Sequence, residues 1–394
     1  MLLCDGCNAG AHITCLDQPL ADVPEGEWFC NECAPPAAPP EHAERGLAAL
    51  DALCLADELQ VRVRCLQAVP PFLRGPLRAA FVTSLRKLQA AYERGEGEQQ
   101  QTRCWKLFRL TARMLLWRSQ ERAPSRKELE ARVEQFQNEE WAALVREARA
   151  AGSRSRGRAR GLSEAEDLVR RAHRAETCVH RGEVSRGRQA LCASALAPGT
   201  DATLRELRDP ARRPPQLLEP IPGDVLELVP EHAVEFDRER YVQNVRSAPR
   251  GSAPGLAGDT NEHLKVLLDD EGATELLVCA AERLAHADVP REIVEALALG
   301  SLTALLKENG RVRGIVAGDT FRRGVARTLA QQSADAFEAA CAPFQYALST
   351  RAGTDCVARI VRALTELDQR ATLLSIDGIG AFDHMRRRAM LCAL

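Results

Sequence analysis

The sequence lacks the features that would place the protein in a membrane or in the secretory pathway. No apolar run reaches about 18 residues, the length that a membrane-spanning helix needs. No signal peptide precedes Cys4, because Met1, Leu2 and Leu3 lead directly into that residue. Aromatic residues make up only 4% of the chain, whereas Ala, Arg, Leu and Glu are abundant, a mix that is typical of helical proteins and equally of a GC-rich coding sequence. We therefore expect a protein that is not secreted and has no membrane partner.

The chain also has little net charge. Its 53 Lys and Arg residues are balanced by 55 Asp and Glu residues, which gives a formal charge of -2. Total charge therefore does not indicate a nucleic-acid partner. Evidence for such a partner has to come from local clusters of charge. A length of 394 residues is sufficient for two or three domains with cores of their own.

Fourteen cysteines are distributed unevenly along the sequence. Five lie within the first 33 residues at short spacings, and nine are scattered singly from Cys54 to Cys392. A secreted disulfide framework has denser cysteines in a shorter chain. The scattered cysteines are therefore expected to be buried, reduced thiols. A reducing compartment follows, and we expect the nucleus, with the cytoplasm as the alternative.

The first 33 residues contain a pattern of zinc ligands. Three pairs are each separated by two residues: Cys4 and Cys7, His12 and Cys15, Cys30 and Cys33. Zinc prefers four nitrogen and sulfur ligands in a tetrahedron, and a C-x2-C pair presents two thiolates to one ion. A segment of about 30 residues cannot fold on an apolar core alone, so the metal would supply most of its folding free energy.

The residues around these ligands resemble the PHD-finger family. The similar runs are LLCDGC at residues 2–7 and PEGEWFC at residues 24–30. The resemblance implies a cross-brace of eight ligands around two zinc ions. It assigns Cys4, Cys7, Cys30 and Cys33 to one complete site. His12 and Cys15 belong to the other site, whose first cysteine pair is expected upstream of Met1. The family's habit of reading histone tails makes a histone tail a candidate partner.

Composition shifts divide the rest of the chain. Leucines recur at helical spacing after Glu41, and Ser125 follows Pro124 as at a helix start. Short β-rich runs are predicted at residues 313–317 and 372–376. We predict a partial PHD-type finger at 1–34, a Pro- and Ala-rich linker at 35–46, a helical region at 47–148, a basic tether at 149–162, a helical segment at 163–222 and a C-terminal region at 231–394.

The basic tether alternates arginine with small residues. Its arginines are Arg154, Arg156, Arg158 and Arg160. Such a segment binds nucleic-acid phosphates without regard to sequence and with a strong dependence on salt. A solvated linker explains the same pattern equally well.

From Arg246 onward the sequence resembles the fingers and early palm of reverse transcriptases of non-LTR retrotransposons. Four pieces follow the family's order, and each is identified by its letters: GSAPGLAG with EHL in 251–264, LLKENGRVRGI with GD and RR in 305–323, PFQY with Gly353 and Asp355 in 343–355, and SIDGIGAFD in 375–383. Residues 181–215 resemble the helical stretch that precedes the polymerase domain in such retroelements.

This second resemblance implies the roles of four residues. Asp377 is expected to bind Mg²⁺, and Phe382 is expected to act as the steric gate against a 2′-hydroxyl. Lys307 and Arg313 flank a hairpin turn predicted at Asn309-Gly310 and are expected to contact the incoming triphosphate. Nucleotidyl transfer uses two Mg²⁺ ions, which prefer carboxylate oxygens. From the residues alone, Lys307 and Arg313 also fit a solvated hairpin.

These observations predict a multidomain protein. It combines a small zinc-stabilised PHD-like module, a mostly α-helical middle and an α+β fingers and palm fragment at the C-terminus. We expect a retroelement-derived, zinc-binding protein whose nucleic-acid partners are an RNA template and DNA. The family's second catalytic motif is expected beyond Leu394, so we expect no polymerase activity from this chain. The alternative is a PHD-finger protein that binds chromatin or nucleic acid and carries the polymerase remnant as a passenger.

Overall fold

The computed structural model is mostly helical, with small two-stranded antiparallel sheets. It describes residues 2–3, 10–11, 46–119, 122–154, 164–180, 182–212, 220, 222–227, 229, 234–347, 352–376, 384 and 386–392. None of the helices within these ranges is long and apolar enough to cross a membrane.

Two helix boundaries in the first half of the chain coincide with signals in the sequence. They are α1 (Leu55–Gln60), α2 (Arg74–Glu93), α3 (Glu98–Leu116), α4 (Arg126–Gln137), α5 (Trp141–Arg154), α6 (Glu164–His180) and α7 (Val184–Leu191). The start predicted at Ser125 is confirmed, since Ser125 and Glu128 form a capping box before α4. The break after α2 contains Gly95 at a φ of 63°, a left-handed conformation that favours glycine.

The second half alternates short and long helices. They are α8 (Asp201–Leu207), α9 (Gly223–Leu226), α10 (Arg238–Ser247), α11 (Asn261–Lys265), α12 (Glu271–Ala285), α13 (Arg291–Ala298), α14 (Thr320–Gln332), α15 (Ala334–Cys341), α16 (Gly353–Leu367) and α17 (Arg387–Cys392). Helices α10 to α14 each bury one apolar face, whereas α15 and α16 bury no residue.

One hydrophobic core joins the two halves. It extends from Leu47 to Val325, and α12 packs against α2 while α13 packs against α1. The rings of Phe108 and Phe321 meet edge to face with centroids 5.3 Å apart. The aromatic side chains of Trp105, Phe108, Phe136 and Trp141 are buried in this core, while Trp117 is half-buried.

Three pairs of strands complete the described structure. They are β1 (Leu2–Leu3) with β2 (Gly10–Ala11), β3 (Arg64–Cys65) with β4 (Trp117–Arg118), and β5 (Gly300–Leu306) with β6 (Val312–Gly318). The strand predicted at residues 313–317 is confirmed within β6. The strand predicted at 372–376 is wrong, because those residues form neither helix nor strand. Their apolar side chains are exposed and pair with no described strand, and without a partner an apolar run cannot form a ladder.

Candidate functional site

The predicted zinc ligands lie outside the described residues. These are Cys4, Cys7, His12, Cys15, Cys30 and Cys33. The described part of this module is the pair β1–β2, in which Leu3 lies opposite Gly10. A set of five cysteines and one histidine has the soft sulfur and nitrogen donors that zinc prefers, so the residues present fit this metal. Within the described part of the chain, no group of three or more His, Cys, Asp or Glu side chains could hold a metal ion.

The nine scattered cysteines are all free thiols. Burial raises the pKa of Cys65 and that of Cys104 to about 12, which keeps both thiols protonated and unreactive. The expectation of general burial is wrong for Cys54, Cys192 and Cys392, which are exposed.

Lys307 and Arg313 lie on the β5–β6 hairpin, as the sequence predicted. The register runs from Gly300 opposite Gly318 to Leu306 opposite Val312. The N–H of Gly310 donates to the carbonyl of Lys307 at 2.9 Å, and Gly310 has a φ of 74°. The predicted turn at Asn309-Gly310 is therefore confirmed, with Gly310 in the left-handed conformation that closes a three-residue loop.

The register adds a third cation that the sequence reasoning missed. The N–H of Lys307 donates to the carbonyl of Arg311 at 2.7 Å, and Arg313 lies opposite Leu305. Because side chains alternate along a strand, Lys307, Arg311 and Arg313 project from the same face. All three are exposed, and no described carboxylate pairs with any of them. The sequence signal that could have indicated Arg311 was its alternation with Arg313 around the apolar Val312. We call these three residues the hairpin cation face.

Helix α8 covers part of the opposite face of the hairpin, next to the turn. Val312 is buried, and a Cβ at Gly314 would lie 3.2 Å from the Leu207 side chain of α8. The N–H of Val312 donates to the Glu206 carboxylate at 2.8 Å. Helix α8 therefore decides which face of the hairpin remains open to solvent.

A buried arginine fixes the base of the hairpin. Arg109 of α3 donates from Nη2 to Asp259 Oδ2 at 2.9 Å and to Asp319 Oδ2 at 2.7 Å. The three side chains are at most 4% exposed. Burial opposes the charge of Arg109, but the two carboxylates hold its pKa above the ordinary value. Burial also raises the pKa of Asp259. Asp319 directly follows β6 and caps α14, so Arg109 joins the hairpin to α3.

The same place brings together two of the four polymerase-like pieces. Thr320 Oγ1 donates to the carbonyl of Asp259 at 2.8 Å, and Arg323 donates to the carbonyl of Ala253. A Cβ at Gly255 would lie 2.7 Å from the Cα of Asp319, so only glycine fits this close approach. Residues 251–264 and 305–323 therefore pack against each other.

The other predicted site residues are not brought to this place. Phe344 of the third piece is 88% exposed, and Asp355 lies in the first turn of α16. Asp377 and Phe382 lie outside the described residues. So do Arg156, Arg158 and Arg160, while Arg154 is the last residue of α5.

Comparison with known proteins identifies the N-terminal module. Residues 1–33 match the PHD-finger family, so the chain carries a PHD finger there, and a PHD finger implies bound zinc. The chain is 62% identical to PHD and RING finger domain-containing protein 1 of Rattus norvegicus over 42 residues, which are 11% of this chain and 2% of that protein.

Two further relatives share the same short similarity. Bromodomain adjacent to zinc finger domain protein 1A of Xenopus laevis is 60% identical over 35 residues, 9% of this chain and 6% of that protein. Lysine-specific demethylase JMJ17 of Arabidopsis thaliana is 61% identical over 33 residues, 8% of this chain and 3% of that protein. No solved structure matches the chain.

Proposed function

We propose that this protein is a retroelement-derived, zinc-binding protein that binds nucleic acid, and that residues 231–394 form the fingers and early palm of an RNA-directed DNA polymerase without polymerase activity in this chain. The hairpin cation face carries the proposal, because three exposed cations that pair with no carboxylate among the described residues form a ready site for a polyanion. A nucleoside triphosphate is a compact polyanion, and an arginine fork matches phosphate geometry.

The roles of the individual residues follow from their place on the hairpin. Lys307 and Arg313 contact the triphosphate in this proposal, and Arg311 joins them from the same face. Asp377 supplies a carboxylate for Mg²⁺, and Phe382 excludes a 2′-hydroxyl. A Mg²⁺ ion would neutralise charge that develops on the triphosphate.

The anchoring of the hairpin supports the same proposal. A phosphate-binding face is effective only when its cations are held in one geometry, since ordering flexible side chains costs binding free energy. Arg109 fixes the residue that follows β6, and α8 covers the back of the hairpin. Only the long side chains of the hairpin cation face then remain to be ordered by the ligand.

Nucleotide binding by the whole chain tests the proposal. A fluorescent deoxynucleoside triphosphate with Mg²⁺ is titrated into the parent, into K307A/R311A/R313A and into the control K127A/R291A/R362A, which removes the same charge from exposed positions elsewhere. We expect the hairpin variant to bind at least about tenfold more weakly, because charge-assisted hydrogen bonds contribute roughly 1.5–3 kcal/mol each. Equal affinities of the two triple variants would contradict the proposal.

The zinc finger and the basic tether each have a role in the proposed function. Zinc is bound through Cys4, Cys7, Cys30 and Cys33, with His12 and Cys15 in the second site. The basic tether, residues 149–162, contacts nucleic-acid phosphates through Arg154, Arg156, Arg158 and Arg160. We also propose the segments predicted from composition, which are 1–34, 35–46, 47–148, 149–162, 163–222 and 231–394. A nuclear location agrees with a protein that combines a PHD finger with nucleic-acid chemistry.

A chromatin-binding protein is the second candidate, and the similarity of the finger to a bromodomain-adjacent protein and a lysine demethylase favours it. Calorimetric titration with a histone H3 tail peptide separates the two candidates. Histone binding that is lost in C30S/C33S, without any nucleotide binding, would favour this candidate. Nucleotide binding that depends on the hairpin cation face, without histone binding, would favour the polymerase.

A further inference from the structure

Four exposed arginines cluster on the β3–β4 ribbon and the neighbouring α6. In the register of the ribbon, Arg64 lies directly opposite Arg118. Arg62 projects to the same side as Arg64, because Val61 and Val63 on either side of it are buried. Burial and the positive charges of Arg62, Arg118 and Arg170 of α6 lower the pKa of Arg64. We call Arg62, Arg64, Arg118 and Arg170 the ribbon arginine cluster.

Nothing in the described structure neutralises this cluster. All four side chains are exposed, and no described carboxylate lies within 4.0 Å of any of them. Like charges placed directly opposite each other destabilise a strand pair. The free protein therefore maintains a repulsive arrangement that a bound polyanion would relieve.

The residues beneath the ribbon add positive charge. Buried Arg113 donates to the carbonyl of Val61 at 2.7 Å, and buried Arg132 donates to the carbonyl of Trp117 at 2.7 Å. The acidic groups near these two arginines are Glu58, Glu128 and Glu147. Glu58 pairs with Arg149, and Glu128 pairs with Arg122, so two of the three are already engaged.

The ribbon arginine cluster lies next to the end of α5. A Cβ at Gly152, near the end of α5, would lie 2.7 Å from the carbonyl oxygen of Arg62. The tether arginines follow Gly152 in sequence, and α6 with Arg170 comes after them. The point where the basic tether begins in the sequence is therefore next to the ribbon.

We propose that the ribbon arginine cluster binds the phosphate backbone of a nucleic acid. The ligand is a polyanion with regularly spaced charges, because the cations are spread over a strand pair and a helix rather than gathered around one point. The ribbon arginine cluster shares no residue with the hairpin cation face, and its binding of nucleic acid does not depend on the polymerase resemblance.

Binding of labelled nucleic acid to the whole chain at several salt concentrations tests the proposal. The variants are R64Q/R118Q, the charge-retaining R64K/R118K, and the control R291Q/R362Q, whose exposed arginines pair with Glu295 and Glu366. We expect R64Q/R118Q to bind about tenfold more weakly and to lower the slope of log K against log salt by about 1.4 for single-stranded RNA or 1.8 for duplex DNA. R64K/R118K keeps most of the parent slope, and the control matches the parent.

The outcomes separate the alternatives. A reduced slope on RNA, on DNA or on both supports the proposal and identifies the nucleic acid. Slopes equal to that of the control on both nucleic-acid probes would overturn the proposal. Binding to phosphatidylserine vesicles is measured as well, and the proposal is also overturned if R64Q/R118Q loses binding to the vesicles but not to nucleic acid. Thermal unfolding checks the fold: removal of the opposed charges should leave the melting temperature of R64Q/R118Q at or above that of the parent. If that variant unfolds, R62Q/R170Q is measured in the same way.

Discussion

At the scale of single residues, buried charge is concentrated at Arg109. Its guanidinium faces two carboxylates in the buried interior, where water can solvate neither the positive charge nor the negative charges. Desolvation of such a group costs several kcal/mol, and the ion pairs offset that cost only while both signs are present. The two acidic partners belong to the loop before α11 and to the start of α14, so a residue of α3 holds two separate segments.

Replacing Arg109 should therefore destabilise the protein strongly. We expect R109M to lower the free energy of unfolding by about 3–5 kcal/mol, because Asp259 and Asp319 would remain buried without a cation. Urea unfolding followed by circular dichroism measures the change. The control is R74M, whose pair with Asp269 is about half exposed and which should cost no more than about 1 kcal/mol. Equal losses in the two variants would contradict this account.

His263 is fully buried and neutral. Its Nδ1 accepts a hydrogen bond from the N–H of Thr260 at 3.1 Å, and its Nε2 lies 2.7 Å from the carbonyl of Leu66. Burial lowers the pKa of His263 to about 4 from its ordinary value of 6.5. Protonation of Nδ1 would remove the acceptor that closes the capping box before α11.

This shift predicts a loss of stability in mild acid. Below pH 6.5 the unfolded state takes up a proton that the folded state does not, so stability falls until the pH reaches about 4. The difference corresponds to a loss on the order of 3 kcal/mol. Urea midpoints at pH 7 and pH 5 should differ less for H263Q than for the parent. A parent and an H263Q variant with the same pH dependence would exclude this role.

At the scale of elements, the β5–β6 hairpin shows how a turn positions side chains. Gly310 closes the loop with a positive φ, and this turn fixes the register that places three cations on one face. A shift of the register by one residue would bring Val312 to the solvent and the cations to the face that α8 covers. The turn and the cation face therefore depend on the same residue.

The turn gives a direct test at this scale. We expect G310A to destabilise the protein by about 1–2 kcal/mol, because a Cβ is strained in the left-handed conformation. G75A is the matched control, since Gly75 lies in α2 with open space around it and alanine should stabilise that helix by roughly 0.5–1 kcal/mol. Thermal unfolding of both variants measures the two opposite shifts. A G310A variant as stable as the parent would show that the turn does not fix the register.

At the scale of the whole molecule, the helices of residues 47–148 and those of 238–332 share one core. Tyr92 donates to the carbonyl of Asp288 at 2.8 Å, and the backbone of Leu55 donates to Glu292 at 3.0 Å. Neither set of helices can be removed without exposing the apolar face of the other. The predicted segment boundaries follow the composition of the chain, whereas the core crosses them.

Separated fragments should therefore fail to fold. We expect a fragment of residues 231–394 to be unfolded or aggregated, because Asp259 and Asp319 would lose Arg109 and α12 would lose its packing against α2. A fragment of residues 46–347 keeps both halves and should unfold cooperatively. Size-exclusion chromatography and circular dichroism compare the two. A monomeric, cooperatively folded 231–394 fragment would show that this half has a sufficient core of its own.

The sequence by itself determined the features that depend on neighbouring residues. The spacing of the ligands indicated a zinc site, and the residues around them resembled a PHD finger. Pro124-Ser125 indicated the start of α4, and Asn309-Gly310 indicated the hairpin turn. Each of these signals is contained in a short run, where local geometry decides the outcome. The strand predicted at 372–376 failed for the complementary reason, since a strand needs a partner that its own residues do not specify.

Only the tertiary structure decided which distant charges meet. Arg109 lies 150 and 210 residues from its two carboxylate partners, and Arg64 lies opposite Arg118 across two strands that enclose α2 and α3 in the sequence. Such pairs follow from strand register and helix packing, which depend on the whole core. That is why Arg311 and the ribbon arginine cluster became visible as parts of candidate sites only after folding placed them side by side.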